Sequence, residues 1–187
     1  MKKLLFTALT LLVINSIISA QKPGVEIRAG VGLISAPAIG TVLSSSIIGG
    51  LAGYTKSEIK GAPALGGSFL LQPSKSWSFG ADVVYEKLDV TYKANNRPNV
   101  TYSDRFLTIM PRADFKYLNK DNIQLYGSLA AGLSLLKSSG NNSAATGTTF
   151  AYQFSPIGLR VGKNFGFFTE LGFGFRGLVM AGLSARL

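Results

Sequence analysis

The chain has 187 residues and contains no cysteine and no histidine, and only 15% of its residues are charged. The lack of cysteine excludes disulfides, a thiolate nucleophile and cysteine-ligated metal centres. The lack of histidine excludes a Ser-His-Asp triad and an imidazole acid or base near neutral pH. In soluble domains roughly a quarter of the residues are charged. A chain that is 47% hydrophobic and only 15% charged is therefore unusual for a soluble domain.

The first twenty residues have the composition of a secretory signal peptide. Lys2 and Lys3 precede a mainly apolar stretch over residues 4–18, and the small residues Ser19 and Ala20 suit a cleavage site. A retained transmembrane helix is the alternative, but the apolar run is shorter than the roughly 20 residues that such a helix needs. We therefore expect residues 1–20 to be removed and residues 21–187 to form one domain. Cleavage takes away Lys2 and Lys3, so the formal charge of +10 becomes +8.

Apolar and polar residues alternate in repeated runs through the rest of the chain, and turn-forming residues separate the runs. A period of two indicates β-strands with one apolar face and one polar or small face. Eight runs qualify, the weaker two being residues 65–72 and 150–161; the clearest begin near Val25, Trp77, Leu107, Leu125, Phe167 and Val179. The alternation changes phase near Pro156, which predicts a bulge there.

Short and long connections alternate along these runs. Polar turns at residues 73–76, 119–122 and 162–164 alternate with longer links at residues 36–61, 89–104 and 137–147. This pattern is typical of an antiparallel up-and-down β-barrel of about eight strands. Within the links, residues 38–52 have apolar side chains at helical spacing and predict a short helix, residues 89–104 predict a protruding hairpin, and residues 137–147 predict a flexible loop.

The apolar face of such a barrel can point inward, as in a soluble lipocalin-like carrier, or outward into a membrane. Three features favour the membrane: runs of about the 9 to 11 residues that a tilted strand needs to span it, an opposite face rich in Gly, Ser, Ala and charges, and aromatic residues at strand ends. Two aromatic girdles are therefore predicted at the interfaces. Their principal members are Trp77, Phe79, Tyr85, Phe115, Tyr117, Phe165 and Phe167, and Tyr92, Tyr102, Phe106, Phe150 and Tyr152 extend the second girdle.

Charged residues occupy the face opposite the apolar one. Inside a barrel of about eight strands, side chains just fill the interior, so these charges must pair with one another. We predict a lumen closed by a network of ion pairs, which leaves a narrow conducting path as the alternative. The network comprises Glu26, Arg28, Asp82, Glu86, Arg112, Asp114, Lys116, Arg160, Glu170, Arg176 and Arg186.

Several segments resemble a known family. Residues 153–162, 167–174 and 183–187, together with residues 107–111, resemble strands of small bacterial outer-membrane β-barrel domain proteins, a porin-like family. The resemblance implies a barrel of about eight strands in the outer membrane of a Gram-negative bacterium. It also implies that the final apolar residue, here Leu187, is read by the assembly machinery. The family has no single activity to carry over.

The function predicted from these observations is structural or adhesion-like, through the loops of a monomeric barrel. The alternative is a narrow pore or transporter for small, possibly apolar, solutes. No enzyme, cofactor or metal site is predicted, since Asp82 and Glu86 lie roughly 13 Å apart along one strand. The lipid bilayer is the expected partner, and basic loop residues either contact lipopolysaccharide phosphates or are simply solvated. Nucleic acid is not an expected partner of an exported barrel, despite the high pI.

Overall fold

The computed structural model describes residues 24–51, 56–94, 97–140 and 143–187. The expected signal peptide lies outside the described residues. Nine strands and one helix follow one another along the chain as β1 (Gly24–Leu33), α1 (Ala36–Leu51), β2 (Lys56–Gly61), β3 (Ala64–Gln72), β4 (Trp77–Ala94), β5 (Arg97–Asn119), β6 (Ile123–Gly140), β7 (Ser143–Gly162), β8 (Phe165–Gly174) and β9 (Val179–Arg186).

The strands form a closed antiparallel barrel. Eight of them pair in a ring in the order β1, β3, β4, β5, β6, β7, β8, β9, and β9 pairs back onto β1 from Glu26↔Arg186 to Leu33↔Val179. The short strand β2 pairs with the outer part of β4, above β3. Because the ring is closed, each of its eight strands pairs with a neighbouring strand on both sides. The predicted fold class, an up-and-down barrel of about eight strands, is confirmed.

One end of the barrel carries tight turns and the other carries long hairpins. At the hairpin end β4 and β5 pair continuously to Tyr92↔Val100, which confirms the hairpin expected over residues 89–104. The flexible loop expected over residues 137–147 was wrong, because β6 and β7 pair through Leu136↔Gly147 to Gly140↔Ser143. Threonine favours strands, and Thr146, Thr148 and Thr149 lie in this part of β7.

The wall at the hairpin end is much higher on one side than on the other. The strands from β4 to β7 rise well beyond the ends of β1, β8 and β9. After Leu33 the chain leaves the wall, and α1 begins in the gap between β1 and β2. Among the described strands, β2 pairs with β4 only. The barrel therefore has a notch in its wall beside α1.

Helix α1 begins two residues before the predicted start and covers nearly the same segment; residue 52 lies outside the described residues. Ser35 explains the start, because its Oγ accepts a hydrogen bond from the backbone N–H of Ala38 at 3.1 Å, as an N-cap does. Within the described part of the chain, no helix combines the length and apolarity needed to cross a membrane.

The bulge predicted near Pro156 is confirmed. The pairing of β7 shifts register against β6 between Tyr126 and Ser128 and against β8 between Phe154 and Ile157. Proline has no N–H to donate to a ladder, and a bulge leaves its extra residue unpaired. A bulge therefore suits a strand that contains proline. The Pro156 carbonyl instead accepts a hydrogen bond from the Tyr117 hydroxyl at 3.2 Å.

Candidate functional site in the barrel interior

The charged residues of the strands in the membrane-facing part of the wall lie inside the barrel, and the large apolar side chains that alternate with them lie outside. On β5, for example, Ile109 is 52% exposed, whereas its neighbours Thr108 and Met110 are buried, and Arg112 is only 3% exposed. The same alternation holds on β1, where Ile27 and Val31 face outward, whereas Glu26 and Arg28 are buried. A barrel in water has the reverse arrangement, with its apolar side chains inside.

Glu170 of β8 lies at the centre of the interior charges. Its carboxylate accepts hydrogen bonds from Arg112 Nη2 at 2.8 Å, Arg176 Nη1 at 2.6 Å and Arg28 Nη1 at 3.2 Å. The Tyr126 hydroxyl donates to the same carboxylate at 2.8 Å. Three guanidinium groups and one phenol, brought from four separate places in the chain, therefore converge on one acid.

Arg112 links this carboxylate to two further acids. Its Nε donates to Asp114 Oδ1 at 2.6 Å, and its Nη1 lies 3.3 Å from Asp82 Oδ2. Arg176 also approaches Asp82, at 3.4 Å. All of these side chains are almost completely buried. The planar guanidinium fork can serve several carboxylates at once, which an ammonium group does less well.

A second group of charges surrounds Glu26, nearer the short-turn end. Its carboxylate accepts from Arg28 Nε at 2.6 Å, from Arg186 Nε at 2.9 Å and from Gln72 Nε2 at 2.7 Å. Arg28 also contacts Asp114 at 3.2 Å and Glu170. Arg28 therefore joins the two groups, and ion pairs run continuously across much of the barrel interior.

Three of the sequence-predicted residues have other principal partners. Arg160 reaches Glu26 only at 3.4 Å and mainly donates to backbone carbonyls of the β7–β8 turn, including that of Lys163 at 2.7 Å. Lys116 donates to the Gln72 side chain at 3.0 Å. Glu86 forms no ion pair with any described residue, and its carboxylate bonds the Ser35 hydroxyl. The structure thus brings eight of the eleven residues into close ion pairs and places these three at the margins.

Tyr126 was not among the predicted interior residues, although the alternation along β6 already placed it on the inward face. Its side chain is fully buried, and the Arg28 guanidinium lies 4.4 Å from its ring centroid, within range of a cation–π interaction. The alternation along β6 was the signal that could have found it, but aromatic residues are expected mainly in the girdles of a membrane barrel.

An apolar layer closes the interior on the side of the long hairpins. Val84 follows Asp82 by one inward step along β4, and Met110 precedes Arg112 by one inward step along β5. Both pack in one buried cluster, whose other members are Ala64, Ala130, Ala151 and Phe175. The charged groups therefore have apolar side chains above them.

Gly158 of β7 makes room for the Tyr126 ring, its cross-strand partner. A Cβ at this position would lie 2.4 Å from the ring. We expect Gly158→Ala to displace the ring from Glu170 and to lower the free energy of unfolding by about 1–3 kcal/mol, the usual cost of overpacking. Gly147→Ala on the same strand is the control, because its Cβ would meet nothing within 4 Å. Equal urea midpoints for the two variants in vesicles would contradict this packing role.

The principal girdle residues lie on the outer surface. At the short-turn end the Trp77 ring lies 5.8 Å from the Phe79 ring and 5.0 Å from the Phe115 ring, and Phe115 contacts Tyr117 at 5.7 Å. Phe165 and Phe167 are the most exposed of the set, and Tyr85 faces outward toward the other end. The assignment of Phe106 to the second girdle was wrong, because this ring points inward and is 9% exposed. Tyr92 and Tyr102 lie on the same face of the β4–β5 hairpin as Phe106, with their rings 5.9 Å apart, so they do not belong to an outward girdle either.

Three cations form a row on the outer surface, just beyond the apolar residues at the hairpin end. Lys87 of β4 is the direct cross-strand partner of Arg105 of β5, and Arg105 is the partner of Lys137 of β6. Like charges in this arrangement repel one another. Lys87 is relieved by Asp89 at 3.0 Å, but neither Arg105 nor Lys137 has an ion pair within the described residues.

The acid of the neighbouring strand β2 pairs with one lysine of β4 and one of its own strand. Glu58 bonds Lys93 and lies 3.6 Å from Lys60. The hydrogen bond from Lys93 holds the pKa of the Glu58 carboxyl below its ordinary value. We name the row formed by Lys87, Arg105 and Lys137 the cation row; within the described residues, Arg105 and Lys137 are its members without an ion pair.

No protein-family model matches the chain, and neither does any curated protein sequence. Its structural neighbours are small outer-membrane β-barrels. The N-terminal β-barrel domain of Pseudomonas aeruginosa OprF shares 15% identity over 90% of this chain and 98% of its own, with a TM-score of 0.46. Ail, the attachment invasion locus protein of Yersinia pestis, covers 89% of this chain and 100% of its own with a TM-score of 0.46, both alone at 13% identity and with the heparin analogue sucrose octasulfate at 15%.

Proposed function

We propose that this protein is an integral outer-membrane β-barrel with a lumen closed by ion pairs, and that it acts structurally or by surface contact through its long-hairpin end. The observation that carries the proposal is the inverted distribution of side chains, with a paired charge network inside and a continuous apolar surface outside. Exposing so large an apolar surface to water would be unfavourable. A bilayer provides the matching solvent.

The height of the apolar surface fits a bilayer. On β5 the outward side chains are apolar or aromatic from Leu107 to Tyr117, and Arg105 lies beyond them. Ten steps of about 3.4 Å give roughly 34 Å of strand. At a tilt of about 40° this length spans about 26 Å, close to the apolar band of about 25 Å found in membrane barrels.

The packing of the interior supports a barrel that is closed to bulk flow. The carboxylates near the centre are each within hydrogen-bond or ion-pair distance of at least one arginine, and the apolar cluster covers them. An eight-stranded barrel has just enough interior volume for its own side chains. A water-filled path would require these side chains to separate at a large electrostatic cost.

The fluorescence of Trp77, the only tryptophan in the chain, tests the placement in the membrane. We expect phospholipids brominated near the headgroup to quench Trp77 more strongly than phospholipids brominated near the chain ends, because the ring lies in the girdle at the short-turn end. A variant that combines Trp77→Phe with Leu129→Trp should show the opposite order, since Leu129 faces outward and pairs with Ala113, near the middle of the band. Equal and weak quenching of both tryptophans would contradict insertion.

The cation row supports lipopolysaccharide as a partner of this end. Phosphate groups of the outer leaflet would lie at the edge of the apolar band, where neither Arg105 nor Lys137 forms an ion pair with a described residue. Bringing phosphate to the row would relieve the repulsion between adjacent cations.

The test combines Arg105→Ala with Lys137→Ala and measures lipopolysaccharide binding by titration calorimetry. Each cation near a lipid phosphate surface contributes about 1 kcal/mol, so the loss of two predicts roughly a thirtyfold rise in Kd. The matched control combines Lys75→Ala with Lys120→Ala at the short-turn end and should bind like the original chain. Equal weakening in both double variants would argue against a specific role for the row.

A further inference from the structure

A groove of about 470 Å³ lies in the notch beside α1. Ile39, Val42 and Leu43 of α1 form one side of it, and Ile59 of β2 and Leu88 of β4 form the other. Among the described lining residues Glu86 alone is charged, and its carboxylate is engaged by the Ser35 hydroxyl at 2.6 and 2.7 Å. The groove therefore offers an almost entirely apolar wall, and its volume lies in the range of small-ligand sites.

Helix α1 is oriented with its apolar side chains outward. It buries Thr41 and Ser45, while Leu43 is 60% exposed and Ile47 is 63% exposed. A helix on a water-exposed surface normally shows the reverse pattern. The exposed face of α1 is therefore suited to an apolar environment.

The groove is continuous with the lipid-facing surface of the barrel. Leu33 and Ile34, which line the groove, follow directly on the outward residue Val31 of β1, and both are at least half exposed. Val179, the cross-strand partner of Leu33, also faces outward. No polar belt separates the groove from the apolar band along β1. A lipid chain in the outer leaflet can therefore reach the groove laterally.

We propose that this groove binds an acyl chain of an outer-leaflet lipid, which enters sideways between α1 and β2. The proposal rests on the placement of the barrel in a membrane. The bound chain would cover the apolar side chains of α1 and fill the space left where β1 ends and β2 continues without a partner on that edge. Burial of apolar surface on both the chain and the helix would supply the binding free energy.

Photo-crosslinking in vesicles tests the site directly. The full-length mature chain is reconstituted in phosphatidylcholine that contains a trace of phosphatidylcholine with a diazirine at the end of one acyl chain, and labelled peptides are mapped by mass spectrometry. We expect labels on Ile39, Val42 or Leu88 in addition to labels on band residues such as Leu133. Ala38→Phe, which puts a ring into the groove, should lower the yield of the groove labels at least several-fold.

Gly40→Phe is the matched control, because a side chain at that position on the same helix enters open space, and it should leave the groove labels unchanged. Labels on the band without labels in the groove would overturn the site and leave the membrane placement intact, whereas loss of both would overturn the placement. A parallel sample receives a diazirine fatty acid from the aqueous phase. Groove labelling by that probe alone would overturn the membrane lipid as the occupant.

Discussion

Replacing Glu170 with alanine is expected to lower the free energy of unfolding of the barrel by about 3–5 kcal/mol, the usual cost of removing one partner from a buried ion pair. The variant would leave Arg28, Arg112 and Arg176 close together without the carboxylate on which they converge. Three further acids, Glu26, Asp82 and Asp114, already bind these same arginines. The positive charge released by the substitution would therefore remain inside the barrel without a carboxylate of its own.

The measurement is urea unfolding in phosphatidylcholine vesicles, followed by the gel mobility of unheated samples, in which a folded barrel migrates differently from an unfolded chain. Glu58→Ala is the control, since it also removes a carboxylate that is bonded to two cations but does so in contact with solvent. We expect the control to keep the original midpoint. A Glu170→Ala barrel that unfolds together with the control would show that the central ion pairs do not hold the barrel closed.

Arg112→Ala is expected to have an effect of similar size, about 3–5 kcal/mol, because it deprives three buried carboxylates of a shared cation. The two variants should not be additive. Since Arg112 and Glu170 are in direct contact at 2.8 Å, a double-mutant cycle should give a coupling of about 0.5–3 kcal/mol. The double variant then unfolds at a higher urea concentration than the sum of the single effects predicts.

The cycle has a natural control on the outer surface. Lys87 and Asp89 form an ion pair of similar length, 3.0 Å, but both side chains are more than one third exposed. Pairs of this kind typically couple by about 0.2–1 kcal/mol. A coupling at Arg112–Glu170 no larger than the one at Lys87–Asp89 would mean that burial adds nothing to the interior pair.

The alternation of residues along each strand was enough to predict which face a residue occupies. Arg112 and Asp114 were assigned to the interior because they share parity with the polar residues of β5, and the structure places both there. Alternation does not predict a strand where the residues on the two faces have similar polarity. Residues 137–147 are small and polar, so the sequence did not distinguish an extended hairpin from a flexible loop.

The partners of the interior charges could not be predicted, because they depend on which strands meet across the barrel and at what height. Arg28 joins two groups of acids only because barrel closure brings β1 beside β9 and opposite the strands that carry Asp114 and Glu170. Glu86 accepts a hydrogen bond from Ser35 because β1 ends at Leu33 and α1 begins at Ala36, which brings Ser35 beside β4. Phe106 lies two residues from Thr108 and therefore on the same inward face of β5. It was assigned to the girdle because it is aromatic, although the alternation already placed it inside.

Single-channel recording in planar bilayers tests most directly the central claim that ion pairs close the lumen of a membrane-spanning barrel. Purified, refolded protein comprising residues 21–187 is added to one side of the bilayer, and its insertion is verified by recovering the folded form from the membrane. We expect the inserted barrel to add no discrete conductance steps. Steady, reproducible steps from the inserted original chain would contradict it and would favour a narrow pore.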